Sequence, residues 1–274
     1  MIEDIILEND RRGISELRKV LSPYFCKKAS DFLYRHMESV LVVTGFYVSG
    51  SCETDGPVSS IMLGEALMQL NKKVVVVTDR YCYEVLKKVK VPFEVYSFPI
   101  AGEKESKKYA EELLSAIEPS LLISVERCGR AQNGLYYNMR GEDISDYTGK
   151  IDYFFESTRS IGIGDGGNEI GMGNVYNEVK KVVLHGEIIA SVVRTNHLII
   201  SSVSNWGVYG LLGYLSQISG EILLKKEDRI LKSVVRAGAV DSLCRKCTLM
   251  VDGYPLEETN RIIEKVLNEM PCER

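Results

Sequence analysis

The sequence predicts an α/β fold: a mainly parallel sheet covered by helices on both faces, with a helical N-terminal lead-in. Short continuous apolar runs, typical of strands buried on both faces, alternate with helical patterns along the first half of the chain. Polar residues follow the ends of several of these runs, and a glycine-rich segment with acidic residues comes later. We predict one domain over residues 1–274, with residues 1–38 as the lead-in.

The lead-in is predicted to contain two helices. Apolar residues recur at helical spacing from residue 14 to residue 21. Ser22 and Pro23 then read as an N-cap and a first-turn proline for the second helix.

Three apolar runs predict central strands, at residues 40–44, 74–78 and 121–125. Residues 93–98 alternate in polarity, which is typical of a strand nearer an edge. Between the runs, helical patterns start at Pro57 and cover residues 83–89 and 104–117. Strand–helix alternation of this kind predicts parallel pairing.

The second half of the chain continues the alternation after a long irregular segment. Helices are predicted at 151–158, 175–183, 206–218, 227–240 and 256–270, and strands at 188–193 and 197–202.

Composition excludes several classes of partner. The net charge is −4 and no basic block occurs, so nucleic acid is not an expected partner. No uncharged apolar run approaches the roughly 20 residues that span a bilayer. The start, Met1 to Asp4, is acidic, unlike a secretory signal or transit peptide, so we expect the cytoplasm. Self-association into a homo-oligomer is left open.

Polar segments lie where the predicted strands end. Residues 53–56, Thr78-Asp79 and Glu126-Arg127 follow three strands, and ligands of parallel sheets bind beyond these carboxyl ends. The irregular segment 128–150 interleaves aromatic and charged residues, and we interpret it as a lid or specificity loop.

The segment 160–174 reads S-I-G-I-G-D-G-G-N-E-I-G-M-G-N. Its glycines indicate sharp bends or close approach to a ligand, and its apolar filler indicates a loop packed into the protein. Glycines 162, 164 and 167 match the dinucleotide fingerprint G-x-G-x-x-G. We disfavour that interpretation because no long apolar strand is predicted before Gly162, and Asp165 would project a carboxylate toward the pyrophosphate.

Carboxylates provide the stronger functional hypothesis. Glu53 and Asp55 are two apart in an extended segment, and Asp165 and Glu169 lie in the glycine-rich one. Carboxylates that converge repel each other unless a cation intervenes, and oxygen-rich sites suit Mn²⁺ or Mg²⁺. We therefore predict that these residues bind a divalent cation. The alternative is that several are solvated or cap helices, as Asp55 could before Gly56-Pro57.

Cysteine chemistry is not predicted. Seven cysteines scattered over the chain fit reduced thiols better than a disulfide framework. Cys244 and Cys247 form a lone C-x-x-C with no second ligand pair at finger spacing, so we predict that they bind no zinc and are dispensable for activity.

Several motifs together resemble the D-glutamate cyclase family, specifically its C-terminal domain. They are S-G-S-C-E-T-D-G-P, L-G-E-A-L, V-V-T-D, E-R-C-G-R-A, Y-Y-N-M-R-G-E-D-I-S and G-I-G-D-G-G-N-E-I-G-M-G-N. The resemblance runs from about Val40 to Val251, within a cyclase-like region over residues 39–274. It implies conversion of D-glutamate to 5-oxo-D-proline with loss of water.

The chemistry of that reaction suggests roles for nearby residues. We expect Glu126 or Asp143 to transfer the proton, and Arg127 or Arg140 to clamp the α-carboxylate of a small anionic substrate. Further substrate contacts are expected from a set in two loops: Asn138, Gly166, Gly167 and Asn168. Two alternatives stay open: a Mg²⁺- or Mn²⁺-dependent phosphohydrolase that uses the same acidic site, and a non-catalytic ligand-binding protein.

Overall fold

A parallel sheet forms the centre of the protein. A computed structural model describes residues 1–156 and 158–270 of the chain. The sheet has six strands, β1 (Ser39–Thr44), β2 (Lys73–Asp79), β3 (Glu94–Phe98), β4 (Leu121–Val125), β5 (Ser160–Gly164) and β6 (His197–Ile200). Their order is β3-β2-β1-β4-β5-β6, and every pair is parallel.

This strand order changes direction between β1 and β4. The chain leaves β1 toward one edge of the sheet and leaves β4 toward the other. The two departing loops therefore diverge and leave a crevice beyond the carboxyl ends of β1 and β4, the position at which doubly wound sheets bind ligands.

Helices cover both faces of the sheet. They are α1 (Ile2–Ile5), α2 (Phe25–His36), α3 (Pro57–Gln69), α4 (Arg80–Val89), α5 (Glu103–Ile117), α6 (Tyr176–Val182), α7 (Gly186–Ile189), α8 (Ser204–Ser219), α9 (Asp228–Ala237) and α10 (Leu256–Asn268). Short 3₁₀ helices span Ile14–Val20, Ser145–Tyr147, Ile151–Glu156 and Met172–Val175. Two antiparallel ribbons pair Tyr47–Val48 with Ser51–Cys52, and Met250–Val251 with Tyr254–Pro255.

Alternate residues of each strand enter different cores, as the pleat requires. Val40 and Val42 of β1 join the larger core, which contains the apolar faces of α2, α3 and α8. Leu41 and Val43 join the smaller core, formed with α5 and the 3₁₀ helix at Ile151–Glu156. Burial on both faces explains why these strands are continuous apolar runs.

The predicted fold class is confirmed. The three predicted central strands are β1, β2 and β4, which are adjacent, and the alternating segment is the edge strand β3. No helix within the described residues is long and apolar enough to cross a membrane. Of the helix predicted at 151–158, one residue, Ser157, lies outside the described residues.

One correction concerns the start of the glycine-rich segment. Residues 160–164, which the sequence suggested were part of a loop, form the strand β5. Ile161 and Ile163 are fully buried, whereas Gly162 lies beneath the returning chain. A Cβ at Gly162 would lie 2.5 Å from the carbonyl oxygen of Ile170, so glycine is needed for this close crossing.

A second correction concerns residues 188–193, which were predicted to be a strand. The chain instead forms the short helix α7 and then an irregular segment. The amide of Ser191 donates to Gly167 O, and that of Val192 donates to Arg130 O. Val193 O accepts from the amides of Gly171 and Gly173. Loops satisfy this backbone, so the segment does not join the sheet.

Candidate active site

A cavity of about 430 Å³ opens in the crevice beyond β1 and β4. Its volume is within the about 300–1,000 Å³ typical of small-molecule sites. The predicted site residues among its lining are Glu53, Glu126, Asn138, Arg140, Asp143, Asp165 and Asn168.

Three carboxylates converge next to this cavity, and two of them, Glu126 and Asp165, line it. Asp55, Glu126 and Asp165 each present an oxygen atom, and these atoms lie within 4.8 Å of one another. All three residues are buried. The structure thus brings the Glu53–Asp55 segment and the glycine-rich segment to one place, and it adds Glu126 from the end of β4.

The N-terminus of α8 holds Asp55 in position. Backbone amides of Ser204 and Asn205 donate to its carboxylate at 2.9 and 2.8 Å. Unpaired amides of a first helical turn carry a partial positive charge that favours an anion. Asp55 is therefore not the cap of α3, whose N-cap residue is Gly56 without a side-chain cap.

Glu126 lies at a strained turn directly after β4. Its φ is 44°, in the left-handed region that a non-glycine residue rarely adopts. Its carboxylate accepts a hydrogen bond from the hydroxyl of Ser204. Gly56 has a φ of 88°, and a Cβ there would lie 2.8 Å from that of Glu126, so glycine allows the two loops to approach.

Asp165 contacts a cation that the sequence did not reveal. Nη1 of Arg12, from the lead-in, lies 2.7 Å from Asp165 Oδ2. The contact is an ion pair without the alignment of a hydrogen bond, and Oδ2 has no hydrogen-bond donor among the described residues. Nη2 of the same arginine donates to Asp252 Oδ1 at 2.6 Å. Asp252 belongs to the tight turn that joins the ribbon Met250–Val251 to Tyr254–Pro255.

Burial and crowding raise the pKa values of these carboxyl groups. Burial, with the charge of Asp252, raises the pKa of Asp55 to about 7. Burial and neighbouring carboxylates raise the pKa values of Glu53 and Glu126 well above their usual range. Burial also raises the pKa of Asp165, against the opposing effect of Arg12. Arg12 supplies one positive charge against these four carboxyl groups, so acidic groups are in excess at the site.

Glu169 does not join the cluster. Its carboxylate accepts hydrogen bonds from the amides of Asp165 at 3.0 Å, Gly166, and Gly167 at 2.7 Å. It therefore shapes the loop that presents Asp165. The amides of Gly166 and Gly167 are occupied by Glu169, so they are not free to bind a substrate or a phosphate.

Asn168 supports the floor of the cavity. Its Nδ2 donates to Tyr137 O at 2.7 Å. Its Oδ1 is buried without a hydrogen-bond partner in the described part of the chain, and the residue lines the cavity.

Arg127 lies outside the cavity lining and is buried among other groups. Its guanidinium donates to Gly45 O at 2.7 Å, Asp79 Oδ2 at 2.6 Å and Gly149 O at 2.6 Å. It connects the ends of β1, β2 and β4, so the structure does not bring it to a substrate.

The segment 128–150 forms one wall of the cavity. Asn138 Oδ1 accepts from the amides of Arg140 and Glu142 at 2.9 and 3.1 Å, and Asp143 Oδ1 accepts from Ser145 N at 2.9 Å. These bonds give the segment a defined turn, and Arg140 and Asp143 lie at the rim. Movement of the segment as a lid stays a prediction.

Four of the groups that build this site were not predicted from the sequence: Arg12, Asp252, Ser204 and Asn205. Ser204 and Asn205 are the first residues of the apolar helix α8, and this polar pair was a usable signal, because helix N-termini favour such residues. Asp252-Gly253 carries the signature of a two-residue hairpin turn, with φ values of 50° and 75°. No local pattern indicates that Asp252 and Arg12 pair.

The comparisons with known proteins agree with the cyclase resemblance. A family model described as "D-glutamate cyclase-like, C-terminal" matches residues 2–267, which include the lead-in. The chain is 31% identical over 225 residues to the human protein "D-glutamate cyclase, mitochondrial". That alignment covers 73% of this chain and 36% of the human protein.

A solved structure, of an exopolyphosphatase-related protein from Bacteroides fragilis, has a TM-score of 0.43 and 14% identity. The match covers 91% of this chain and 58% of that one, and similarity this low bears on neither fold nor function. The family model, by contrast, matches nearly the whole chain. The chain therefore belongs to the D-glutamate cyclase-like family, in the region that the family describes as C-terminal.

Proposed function

We propose that this chain is a metal-dependent D-glutamate cyclase that removes water from D-glutamate to form 5-oxo-D-proline. The observation that carries the proposal is the buried cluster of Asp55, Glu126 and Asp165, of which Glu126 and Asp165 line a cavity with arginines at its rim. Family membership supports the reaction. The chain spans 36% of the human relative, so the activity is a proposal for this chain.

The residues present fit a divalent cation. Carboxylate oxygens are the ligands that Mg²⁺ and Mn²⁺ prefer. Asn168 Oδ1 is a buried acceptor without a hydrogen-bond donor in the described ranges, which is unfavourable unless a ligand satisfies it. Asp165 Oδ2 has the ion pair with Arg12 but no aligned donor. Asp55, Glu126 and Asp165 would hold the ion. When bound, it would act as a Lewis acid toward the carboxylate that reacts.

Cyclisation requires a defined transfer of protons. The α-nitrogen forms a bond to the γ-carboxyl carbon, and one carbon–oxygen bond of that carboxyl breaks. Two protons leave the nitrogen, and both end on the departing oxygen, which becomes water. Glu53 lines the cavity outside the cluster of three, and its raised pKa suits a group that accepts and returns these protons.

The cavity also matches the charges of glutamate. Acidic groups at the floor favour the ammonium group, whereas Arg140 and Arg245 at the rim can pair with a carboxylate. Arg127 cannot do so, because its guanidinium is bonded to backbone carbonyls and Asp79.

One experiment separates this proposal from its competitors. Metal-stripped protein is reloaded with Mg²⁺ or Mn²⁺ and offered D-glutamate, L-glutamate or a general phosphate ester. We expect 5-oxoproline from D-glutamate only when metal is present. Phosphate release without 5-oxoproline would instead favour a phosphohydrolase, and no turnover of any substrate would favour a binding protein.

The role of Glu53 has its own test. Glu53→Gln should lower kcat by about 10²–10⁴-fold, the usual contribution of general acid–base catalysis. Glu142→Gln is the matched control, since Glu142 lines the same cavity but lies at its exposed rim. Equal losses in both variants would remove Glu53 from this role.

A further inference from the structure

We infer that Arg12 is a built-in counter-cation that competes with the divalent ion for Asp165, so that the lead-in sets the metal affinity of the site. This inference rests on the metal site of the proposed function but not on the identity of the substrate. It assigns a role to a residue outside the motifs that carried the family resemblance.

The position of the guanidinium is the first observation. Nη1 lies 2.7 Å from Asp165 Oδ2, and Asp165 is one of the three residues whose oxygens could hold an ion. Asp165 is 2% exposed, and its Oδ2 has no hydrogen-bond partner among the residues that the structure describes. The oxygen in contact with Arg12 is therefore one that would otherwise be available to an ion.

The lead-in holds Arg12 in this position through a preformed turn. The carboxylate of Asp10 accepts hydrogen bonds from the amides of Arg12, Gly13 and Ser15 at 2.8, 3.1 and 2.9 Å. The hydroxyl of Tyr254 donates to Asn9 O at 2.6 Å and joins this turn to the C-terminal ribbon. The guanidinium is thus directed to the cluster by its own segment.

Removing Arg12 should strengthen metal binding for two reasons that act in the same direction. A divalent ion among Asp55, Glu126 and Asp165 would lie within a few ångströms of a fixed positive charge, and the repulsion opposes binding. Without Arg12, the carboxylates of Asp165 and Asp252 also lack their counter-charge, which adds attraction for an ion. The same loss should destabilise the metal-free protein, because buried carboxylates are left unpaired.

A purely positioning role for Arg12 predicts the opposite change in metal affinity. If Arg12 only orients Asp165 for coordination, its removal would loosen the ligand and weaken metal binding. The sign of the change in affinity therefore distinguishes the two roles.

The test compares Mn²⁺ titrations by calorimetry for wild-type, Arg12→Gln and Arg11→Gln protein, without substrate. Arg11 is the matched control: it has the same charge and segment, but it is exposed and its guanidinium lies 3.9 Å from the ring centroid of Tyr254. We expect Arg12→Gln to bind Mn²⁺ roughly tenfold more tightly or better, within the usual range of coupling between sites. Arg11→Gln should match the wild type.

Melting curves provide a second readout. The rise in Tm on adding Mn²⁺ should be larger for Arg12→Gln than for the wild type, because the metal-free variant starts lower and binds more tightly. If the variant folds only with Mn²⁺, that result also supports the proposal.

Equal or weaker binding by Arg12→Gln would overturn the proposal, as would the absence of binding in both proteins. If the single variant does not fold under any condition, the double variant Arg12→Gln/Asp252→Asn is titrated with Mn²⁺ in its place. It removes one charge of each sign, so the net charge of the site stays the same. Binding by this double variant that is no tighter than wild type would then overturn it. Failure of metal-loaded wild type to form 5-oxoproline tests the proposed function alone.

Discussion

At the scale of single residues, the site concentrates negative charge where water is scarce. Glu53, Asp55, Glu126 and Asp165 are all buried, and Arg12 is the cation that the structure places among them. Such an arrangement is tolerated only if the carboxyls are protonated, paired or bound to an ion. The raised pKa values of these groups express that excess of charge.

Asp165→Asn should remove the carboxylate that joins the cluster to Arg12. We expect Mn²⁺ to bind at least tenfold more weakly, a loss of about 1.4 kcal/mol, and the proposed cyclase activity to fall with it. The protein should stay folded, because Asp252 still pairs with Arg12. Calorimetry measures the affinity. Asp146→Asn is the control, an exposed residue of the neighbouring segment, and equal binding by both variants would contradict the metal site.

A buried carboxyl away from the cavity predicts a pH effect on stability. Glu227 accepts hydrogen bonds from the hydroxyls of Thr259, at 2.6 Å, and Tyr209. Burial raises its pKa above the ordinary glutamate value of 4.5. The folded state therefore binds this proton more tightly than the unfolded state does. The stability that protonated Glu227 contributes is fully present below pH 4.5 and is lost as pH rises through the pKa of the folded state.

Glu227→Gln should remove that pH dependence. Its amide can donate to Thr259 Oγ1, whose hydroxyl can donate to Leu256 O at 2.9 Å, while Tyr209 keeps an acceptor. Above pH 4.5 we expect Tm to fall less steeply with pH than in wild type, and each kcal/mol corresponds to about 2–4 °C. Melting curves across pH measure this. Glu111→Gln, on the exposed face of α5, should follow wild type, and parallel slopes for all three proteins would be the contrary result.

Sequence patterns identify some of these residues and not others. Glu53, Asp55, Glu126 and Asp165 could be selected because they follow predicted strands or lie among glycines, where ligands bind. Arg12 could not, because its pairing with Asp252 joins positions 240 residues apart and depends on the packing of the whole chain.

At the scale of elements, three strand ends are joined by one buried arginine. Arg127 bonds Gly45 O after β1, Asp79 at the end of β2, and Gly149 O in the cavity wall. The side chains of adjacent residues at a strand end point in different directions. The side chain of Glu126 accordingly reaches the cavity, whereas that of Arg127 reaches the interior. Sequence proximity alone suggested a shared catalytic role that this alternation does not allow.

Arg127→Met should therefore reduce stability rather than substrate binding. Breaking a buried pair by removing one partner costs about 3–5 kcal/mol, because Asp79 is left without its counter-charge. We expect a lower denaturation midpoint and an unchanged KM for D-glutamate in the folded fraction. Arg127→Met/Asp79→Asn should recover part of the stability. Unchanged stability with a raised KM would instead restore Arg127 as the substrate clamp.

The strand β5 explains why the glycine-rich segment was difficult to interpret. Its isoleucines face the core while Gly162 admits the backbone of Ile170, so a strand and a ligand loop share one run of glycines. Propensity alone disfavours glycine within strands. The long-range crossing that requires it cannot be read from local sequence.

At the scale of the whole molecule, the strand order places the site. The strand order changes direction between β1 and β4, and the cavity lies at that change. Hydrophobic runs were sufficient to predict the central strands and the parallel class, because burial on both faces leaves a clear pattern. The segment after α7 was mispredicted, because loop contacts outweighed its strand-like composition.

We expect substitution of the cysteine pair, Cys244 and Cys247, to have no effect on function. Cys244 and Cys247 are exposed, and no third His, Cys, Asp or Glu of the described residues completes a metal-binding group with them. Cys244→Ser/Cys247→Ser should contain no less zinc than wild type and keep full activity. Elemental analysis and the cyclase assay measure these properties. Stoichiometric zinc that disappears in Cys247→Ser would contradict the prediction.

The contact between Arg12 and Asp252 also has a consequence for protein synthesis. The two residues are separated by 240 positions, and ribosomes add about 5–20 residues per second, so Arg12 is made about 12–48 s before its second partner. Asp55, Glu126 and Asp165 are all made before Asp252, so late in that interval the nascent chain contains the three carboxylates without the hairpin that completes the ion-pair network. We therefore expect the acidic floor to mature only after the hairpin leaves the ribosome, and a chain stalled before residue 252 to lack a stable site.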